Sequence, residues 1–335
     1  MSQSQLARAK LIQTGIQEVL DFEGITEVAI NQPNYIWFDK GNGWEFKNEP
    51  RCDLASLEFL ATSLSVYSNS GQNLDFNNPI TSVILPDGER GQIIMAPATE
   101  TGCVSFTFRK PSLNRFTLDN YLDSGRLSDF ILAKNNVSEL KNFQKKLVEL
   151  KNKGDMGAFF RLAIQNKQNI LLVGGTGSGK TTFMKALADL YPTDRRIFTI
   201  EDVHELDLPN HPNHLHLFYK AGGVTPKHII ESCMRMKPDH VFLAELRGDE
   251  AWNYLELLNT GHDGSLTTTH ANDCLSAISR LGDLVKQSSV GLSLDYDFII
   301  SKIKQTIDIV CFCKNTYMTE LYYNPESKLE LMNGI

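Results

Sequence analysis

The sequence predicts an α/β protein: a domain with a central, mostly parallel sheet around a phosphate-binding loop, preceded by a smaller α+β domain. Three observations predict it. A short apolar run enters a glycine-rich loop and leaves as a helix in "NILLVGGTGSGKTTFMKALADLYP". Beyond residue 154, short buried-strand runs alternate with helical stretches, the rhythm of an α/β layer structure. Before residue 112 the rhythm differs, with strand runs in succession between helical segments. At 335 residues the chain exceeds the size at which one core keeps growing, so the two patterns read as two domains.

From the N-terminus onward, Leu6, Ile12, Ile16 and Leu20 approximate a 3.6-residue period and predict one helix. "ITEVAINQPNYIWFDKGNGWEF" then gives short β-rich runs broken at 31–34 and 41–43, a meander joined by turns. "LASLEFLATSLSVYS" is helical, and "TSVILPDGERGQIIMAP" and "GCVSFTFRKP" are strand-like, closing an α+β domain over 1–111. Residues 112–153 read as a helical linker. Its second helix, in "SELKNFQKKLVELKNKG", puts Leu140, Phe143, Leu147 and Leu150 on one face among five lysines. The plain reading is a helix packed on its own protein with solvated lysines; the alternative is a basic face for an anionic membrane or a partner. From 154 to 335 the candidate strands are "NILLV", "RIFTI", "HLHLF", "HVFLA" and "GSLTTT". "DIVCFC" alternates as a strand would, with Cys311 and Cys313 on one face.

Composition excludes several classes. No segment approaches the roughly 18 consecutive apolar residues of a membrane span, and "MSQSQLARAK" has no apolar core of a secretory signal. The six cysteines show no repeated spacing and no CxxC pair, which predicts reduced thiols in a cytoplasmic protein. A net charge of −7 argues against a broad nucleic-acid surface, and no sequence-specific nucleic-acid binding is expected.

Residues 174–181 fit G-x-x-x-x-G-K-[ST], the Walker A pattern, in its proper place between a strand and a helix. Glycines let backbone N–H groups curl around phosphate oxygens where a Cβ would interfere. The helix N-terminus adds partial positive charge. The nucleotide-binding candidates are Gly175, Thr176, Gly177, Ser178, Gly179, Lys180, Thr181 and Thr182. Lys180 supplies a full charge to the β- and γ-phosphates, and Thr181 a hydroxyl to Mg²⁺. A phosphate loop does not by itself separate a motor from a kinase or a switch.

Three further stretches supply the rest. "HVFLAELRGDEA" ends an apolar strand in Glu245, placed to hold the Mg²⁺ shell or orient a water; the bland alternative is an acidic strand end paired with Arg247. "RIFTIEDVHEL" ends in Glu201 and Asp202, where a carboxylate could position an attacking water or simply cap the next helix. "NTGHDGSLTTTHAND" carries His262 and His270, the latter at a strand's carboxyl end where it could sense a γ-phosphate. "HPNHLH" holds His211, His214 and His216, a conceivable zinc site whose spacing fits no strong metal motif.

The order Walker A, "TIED", "LAELRGDEA", "TGHDGSLTTTHA" resembles the secretion ATPase superfamily, the last three matching its Asp box, atypical Walker B and His box. "ITEVAIN" with its G-x-W turn, "LPDGERGQI" and "SFTFRKPS" resemble the N-terminal domain of the traffic ATPases of type IV secretion and conjugation systems. This resemblance implies a RecA-like P-loop ATPase domain, a hexameric ring and nucleotide held between the two domains. It implies ATP with Mg²⁺ bound by Thr181 and Glu245, water positioning by Glu201 or Glu245, with Glu201 the better candidate, and phosphate sensing by His270. Arg90 in "DGERGQ" and Arg109 in "FTFRKP" match N-domain arginines that reach the γ-phosphate. Expected partners are further copies of the chain and other secretion components, including larger ATPases, with a cytoplasmic location peripheral to the inner membrane. A type IV pilus or type II secretion motor is the nearest rival, but the four-cysteine metal module usual in the type II assembly branch has no counterpart here. A nucleotide-binding scaffold without turnover is the other.

Overall fold

Thr14 ends the first helix early. Its hydroxyl donates to the carbonyls of Lys10 and Leu11 (3.0 and 3.1 Å), and Gly15 succeeds it in the left-handed region at φ 74°. The N-terminal segment is therefore two helices, α1 (Gln3–Gln13) and α2 (Ile16–Leu20), rather than one. The break re-phases the apolar face: Ala7, Leu11, Ile16, Val19 and Leu20 are buried, and Ile12 points outward. The computed structural model describes residues 2–69, 74–111, 115–133, 139–220 and 222–334.

The N-terminal domain continues with β1 (Glu27–Ile30), β2 (Tyr35–Asp39), β3 (Trp44–Asn48), α3 (Leu54–Tyr67), β4 (Ile80–Ile84), β5 (Arg90–Met95) and β6 (Val104–Arg109). Asp53 caps α3 by accepting from the Ser56 amide. The strands form one antiparallel sheet in the order β3-β2-β1-β6-β5-β4. Leu57, Leu60 and Leu64 of α3 bury against Phe106 and Phe108 of β6 and against Leu11 of α1.

In the linker, α4 (Leu118–Asp123) buries none of its residues. The basic helix α5 (Asn142–Lys153) is different, with Leu147 and Leu150 buried beside Phe159 and Phe160 of α6 (Met156–Gln165). Lys145, Lys146 and Lys153 stay at the surface. This helix packs on its own protein and extends the C-terminal domain's core backward across the expected boundary at 154.

That domain comprises β7 (Ile170–Val173), α7 (Lys180–Ala188), β8 (Ile197–Glu201), β9 (His214–Phe218), α8 (Pro226–Cys233), β10 (His240–Leu243), α9 (Glu250–Leu258), β11 (Leu266–Thr269), α10 (Cys274–Lys286), α11 (Ser289–Ser293), α12 (Tyr296–Thr306), β12 (Ile309–Lys314), β13 (Tyr317–Tyr323) and α13 (Pro325–Asn333). The sheet order is β13-β12-β7-β11-β10-β8-β9, parallel throughout except for the β12–β13 hairpin. β7, β8, β10 and β11 are buried along their whole length, as parallel strands covered on both faces must be. β7 thus has a parallel neighbour on each side, and its carboxyl end opens at the middle of the sheet.

The two domains meet at a buried cation. Arg196, just before β8, is fully buried, its guanidinium 4.8 Å from the ring centres of both Trp44 and Phe198. It donates to Asn31 Oδ1 (2.9 Å), Asn213 Oδ1 (2.7 Å) and Thr107 Oγ1 (3.1 Å). Burial pushes its pKa down to about 9, against the pull of Asp239 and Glu27, so it stays charged at neutral pH. Beside it Lys237 donates to Asp39 (2.8 Å), and at the far end of the contact the Phe218 amide donates to the Ala98 carbonyl (2.9 Å), covering the edge of β9.

Glu27 is the weak point of this junction. Its Oε2 is buried without a hydrogen-bond partner among the described residues, and burial pushes its pKa up from 4.5 to about 7, although Lys237, Arg109 and Arg196 pull it back. Between these values the folded chain holds a proton that the unfolded chain has lost. The group therefore favours folding at the acid end and opposes it increasingly as pH rises toward 7, with the full penalty above. Glu27→Gln should stabilise the fold at pH 8, by at most about 3 kcal/mol at ~1.4 kcal/mol per pKa unit, and so raise the melting temperature, and the gain should shrink toward pH 5. Thermal melts of both chains at the two pH values check this; an equal difference at both would refute the cause.

Candidate functional site at the phosphate loop

The loop after β7 is shaped by positions that cannot take a side chain. Gly174 has φ 151°, and a Cβ there would sit 2.3 Å from the Cys313 carbonyl oxygen and 2.6 Å from Ser178 Oγ. Gly179, at φ 88°, opens α7, and a Cβ there would come 3.2 Å from Thr316 Cα. Gly175, Thr176 and Gly177 are exposed between them, and Ser178 Oγ is buried with no partner among the described residues. Lys180, the first residue of α7, is 8% exposed. Its Nζ donates to the carbonyls of Gly174 and Gly175, each at 2.9 Å, so the ammonium lies folded over its own loop. Burial pushes its pKa down, partly offset by Glu245 and Cys313. Thr181 and Thr182 come next in the first turn, half-buried and exposed.

Two neighbouring strands deliver the partners. Glu245 lies two residues past β10, and His270 directly succeeds β11, the strand between β10 and β7. Glu245 Oε1 is 3.0 Å from His270 Nε2, and Glu245 Oε2 accepts from Arg247 Nη2 at 2.7 Å. Arg247 Nη1 in turn donates to Asp202 at 2.5 Å. Lys180, His270 and Glu245 thus stand at the carboxyl ends of three adjacent parallel strands, the crevice where open α/β sheets bind ligands. The pairing of Glu245 with Arg247 and a site role for Glu245 are both compatible with this geometry.

Glu201 sits differently. It ends β8, is completely buried, and has both oxygens engaged. Oε1 accepts from Thr199 Oγ1 (2.7 Å); Oε2 accepts from the amides of Glu205 (2.7 Å) and Leu206 (2.8 Å). Burial alone would raise its pKa, but contacts with His216, Thr199 and these amides outweigh it and hold the pKa below the usual value.

The arginines lie elsewhere. Arg90 and Arg109 face each other directly across β5 and β6, both exposed, and Arg109 is 3.7 Å from Glu27. Glu27 neighbours Asp39, which binds Lys237 just before β10, at the amino end of the C-terminal sheet. Among the described residues neither arginine is hydrogen-bonded or ion-paired to the phosphate loop. Of the three histidines of "HPNHLH", His211 Nε2 is 3.1 Å from the Tyr191 carbonyl and His214 Nδ1 2.6 Å from the His211 carbonyl. They do not converge as metal ligands, which corrects the zinc reading: His214 and His216 share a face of β9, but the His211 and His214 rings are each turned to a backbone carbonyl. Thr199 and His204, which surround Glu201, are site neighbours that the motifs do not announce; the period-2 pattern of "FTIE" puts Thr199 on the Glu201 face.

The family model described as "Type II/IV secretion system protein" matches residues 132–324. The chain is 39% identical over 326 residues to the type IV secretion system protein VirB11 of Brucella suis, covering 93% of this chain and 89% of that protein. It is 38% identical to the VirB11 protein of Bartonella henselae, covering 95% and 94%, and 34% identical to PtlH of Bordetella pertussis, covering 87% and 86%. The chain belongs to the type II/IV secretion system protein family. The crystal structure of the Brucella suis VirB11 ATPase in complex with sulphate superposes with a TM-score of 0.89 at 37% identity, covering 97% of this chain and 99% of that one. The family's RecA-like ATPase domain behind an N-terminal domain is the architecture found here. Among the described residues no helix is long and apolar enough to cross a membrane.

Gly174→Ala should distort the loop of this family member rather than merely fill space, because the atom it meets is a backbone carbonyl. We expect a stability loss of at least ~1 kcal/mol and no measurable binding of a fluorescent ADP analogue. Retained binding at unchanged melting temperature would contradict the close contact with β12.

Proposed function

We propose that this chain hydrolyses ATP to drive a type IV secretion system, moving DNA or protein substrate or assembling a pilus. The observation that carries the reading is the convergence of Lys180, His270 and Glu245 at three adjacent strand ends beside an open phosphate loop. Support from outside the chain is the near-complete coverage of VirB11 relatives.

The loop amides at 175–180 cradle the phosphates, and Lys180 turns from the Gly174 and Gly175 carbonyls to meet them. The Thr181 hydroxyl and the Glu245 carboxylate are hard oxygen donors on the loop side, a set that fits Mg²⁺ and would hold it. That ion, when bound, neutralises phosphate charge. Glu245, gripped by Arg247 and His270, is the group we assign to orient the attacking water. Glu201, completely buried and held by Thr199 and two amides, fixes the turn at 202–206 instead. His270, half-exposed, contacts the γ-phosphate. Arg90 and Arg109 serve the site of a neighbouring copy, which makes a closed ring, of six copies by family likeness, the working form. Other secretion components hold that ring against the inner membrane.

Lys180→Ala should abolish turnover, and Glu245→Gln should lower it at least ~10²-fold while keeping affinity for an ATP analogue. Steady-state phosphate release and analogue binding check both. If Glu201→Gln removes turnover at an unchanged melting temperature while Glu245→Gln does not, the water belongs to Glu201.

The arginine assignment has its own test. Arg90→Ala/Arg109→Ala chains and Lys180→Ala chains should each be inactive alone. Mixed, they should regain part of the turnover, since a Lys180→Ala copy can lend its arginines to an intact phosphate loop. No recovery in a mixture shown to co-assemble would place the arginines outside the site.

A further inference from the structure

We propose that Glu201, His204 and His216 form a binding site for one transition-metal ion of the zinc type, separate from the Mg²⁺ position at the phosphate loop. Among the described residues these three are the one group whose ligand atoms lie mutually within 4.8 Å. The fold builds the arrangement. β8 and β9 are parallel and paired so that His216 stands beside Thr199, two residues before Glu201 on the same face. The turn after β8, whose Glu205 and Leu206 amides hold Glu201 Oε2, brings His204 back over the strand end. Glu201 Oε1 then lies 3.6 Å from Nδ1 of His204 and 3.6 Å from Nδ1 of His216. Ligands at zinc bond lengths on a tetrahedron stand about 3.3–3.5 Å apart, so both spacings need only small adjustments.

The surroundings fit a metal ligand set. His204 presents its other ring nitrogen to Asp207 Oδ1 at 3.5 Å, the carboxylate support that orients a ligating imidazole. Two imidazoles with one carboxylate suit Zn²⁺, Co²⁺ or Ni²⁺ and not Mg²⁺. His216 and Glu201 are buried, whereas the His204 side chain is 38% exposed. Thr199 Oγ1 lies 2.8 Å from His216 Nδ1 and donates to Glu201 Oε1. On metal binding the His216 ring transfers its proton to Nε2 and offers Nδ1, while the hydroxyl keeps its bond to Glu201. The ion would tie β8, β9 and the turn carrying Asp202, the partner of Arg247, into one unit. The proposal stands whichever carboxylate orients the water.

The test uses tag-free full chain stripped with chelator. Titration with Co²⁺ should give the intense visible bands of tetrahedral cobalt, saturating at one ion per chain, displaced by Zn²⁺ and not by excess Mg²⁺. His204→Ala, at a partly exposed position, and His216→Ala should each weaken binding at least about tenfold, and His214→Ala should leave it unchanged. Absence of saturable binding, displacement by Mg²⁺, undiminished affinity in His204→Ala, or loss in His214→Ala would each overturn the site.

Discussion

The buried guanidinium of Arg196 is the contact on which the arrangement of the two domains depends. Removing a cation from water is costly, and the cost is offset here by two flanking rings and by acceptors from both domains. Asn31, Thr107 and Trp44 belong to the N-terminal domain, Asn213 and Phe198 to the other. Arg196 is also the residue before β8, whose last residue is Glu201. The N-terminal domain is therefore fastened to one end of a five-residue strand whose other end borders the nucleotide crevice. The turn beyond Glu201 holds Asp202, which Arg247 links to Glu245.

Arg90 and Arg109 lie on the N-terminal sheet, and among the described residues neither is bonded to the phosphate loop. Lys237 meets Asp39 at the amino end of the C-terminal sheet, whereas the phosphate loop opens at its carboxyl end. A domain anchored where Lys237 meets Asp39 leaves the β5 and β6 ends facing outward. Two like charges placed directly opposite each other in an antiparallel pair repel. Arg90 and Arg109 keep that unfavourable juxtaposition at the surface, where water screens it and Glu27 stands 3.7 Å from Arg109.

Most of the C-terminal fold is legible because its signals are local. "NILLV", "RIFTI", "HLHLF", "HVFLA" and "GSLTTT" each form a strand, and the loop at 174–181 lies where strand, glycines and helix predict it. The features that escape a sequence reading depend on contacts distant in sequence or on single breaking residues. The first helix reads as too long because Thr14 and Gly15 break it within an unbroken apolar period. The basic helix packs on its own protein by the face its pattern marks, Leu147 and Leu150, but nothing in 142–153 announces that its partner is Phe159. The different settings of Glu201 and Glu245 are invisible at the level of sequence. Both end apolar strands, and only the fold shows that one is held by Thr199 and two amides while the other pairs with Arg247 and His270.

The β12–β13 hairpin escapes for a chemical reason, and it matters to the site. Its turn residues are Asn315 and Thr316, both at positive φ (51° and 68°), the geometry of a two-residue hairpin turn that usually contains glycine. A β-branched threonine in that region is uncommon and gives no sequence signal. Yet Thr316 stands against Gly179 and the Cys313 carbonyl against Gly174, the two glycines that bound the phosphate loop. The loop is thus moulded from one side by a hairpin that begins more than a hundred residues later. The family match ends at residue 324, immediately after β13. The matched unit accordingly closes where the last wall of the phosphate loop is complete, and not at the last residue that could touch nucleotide.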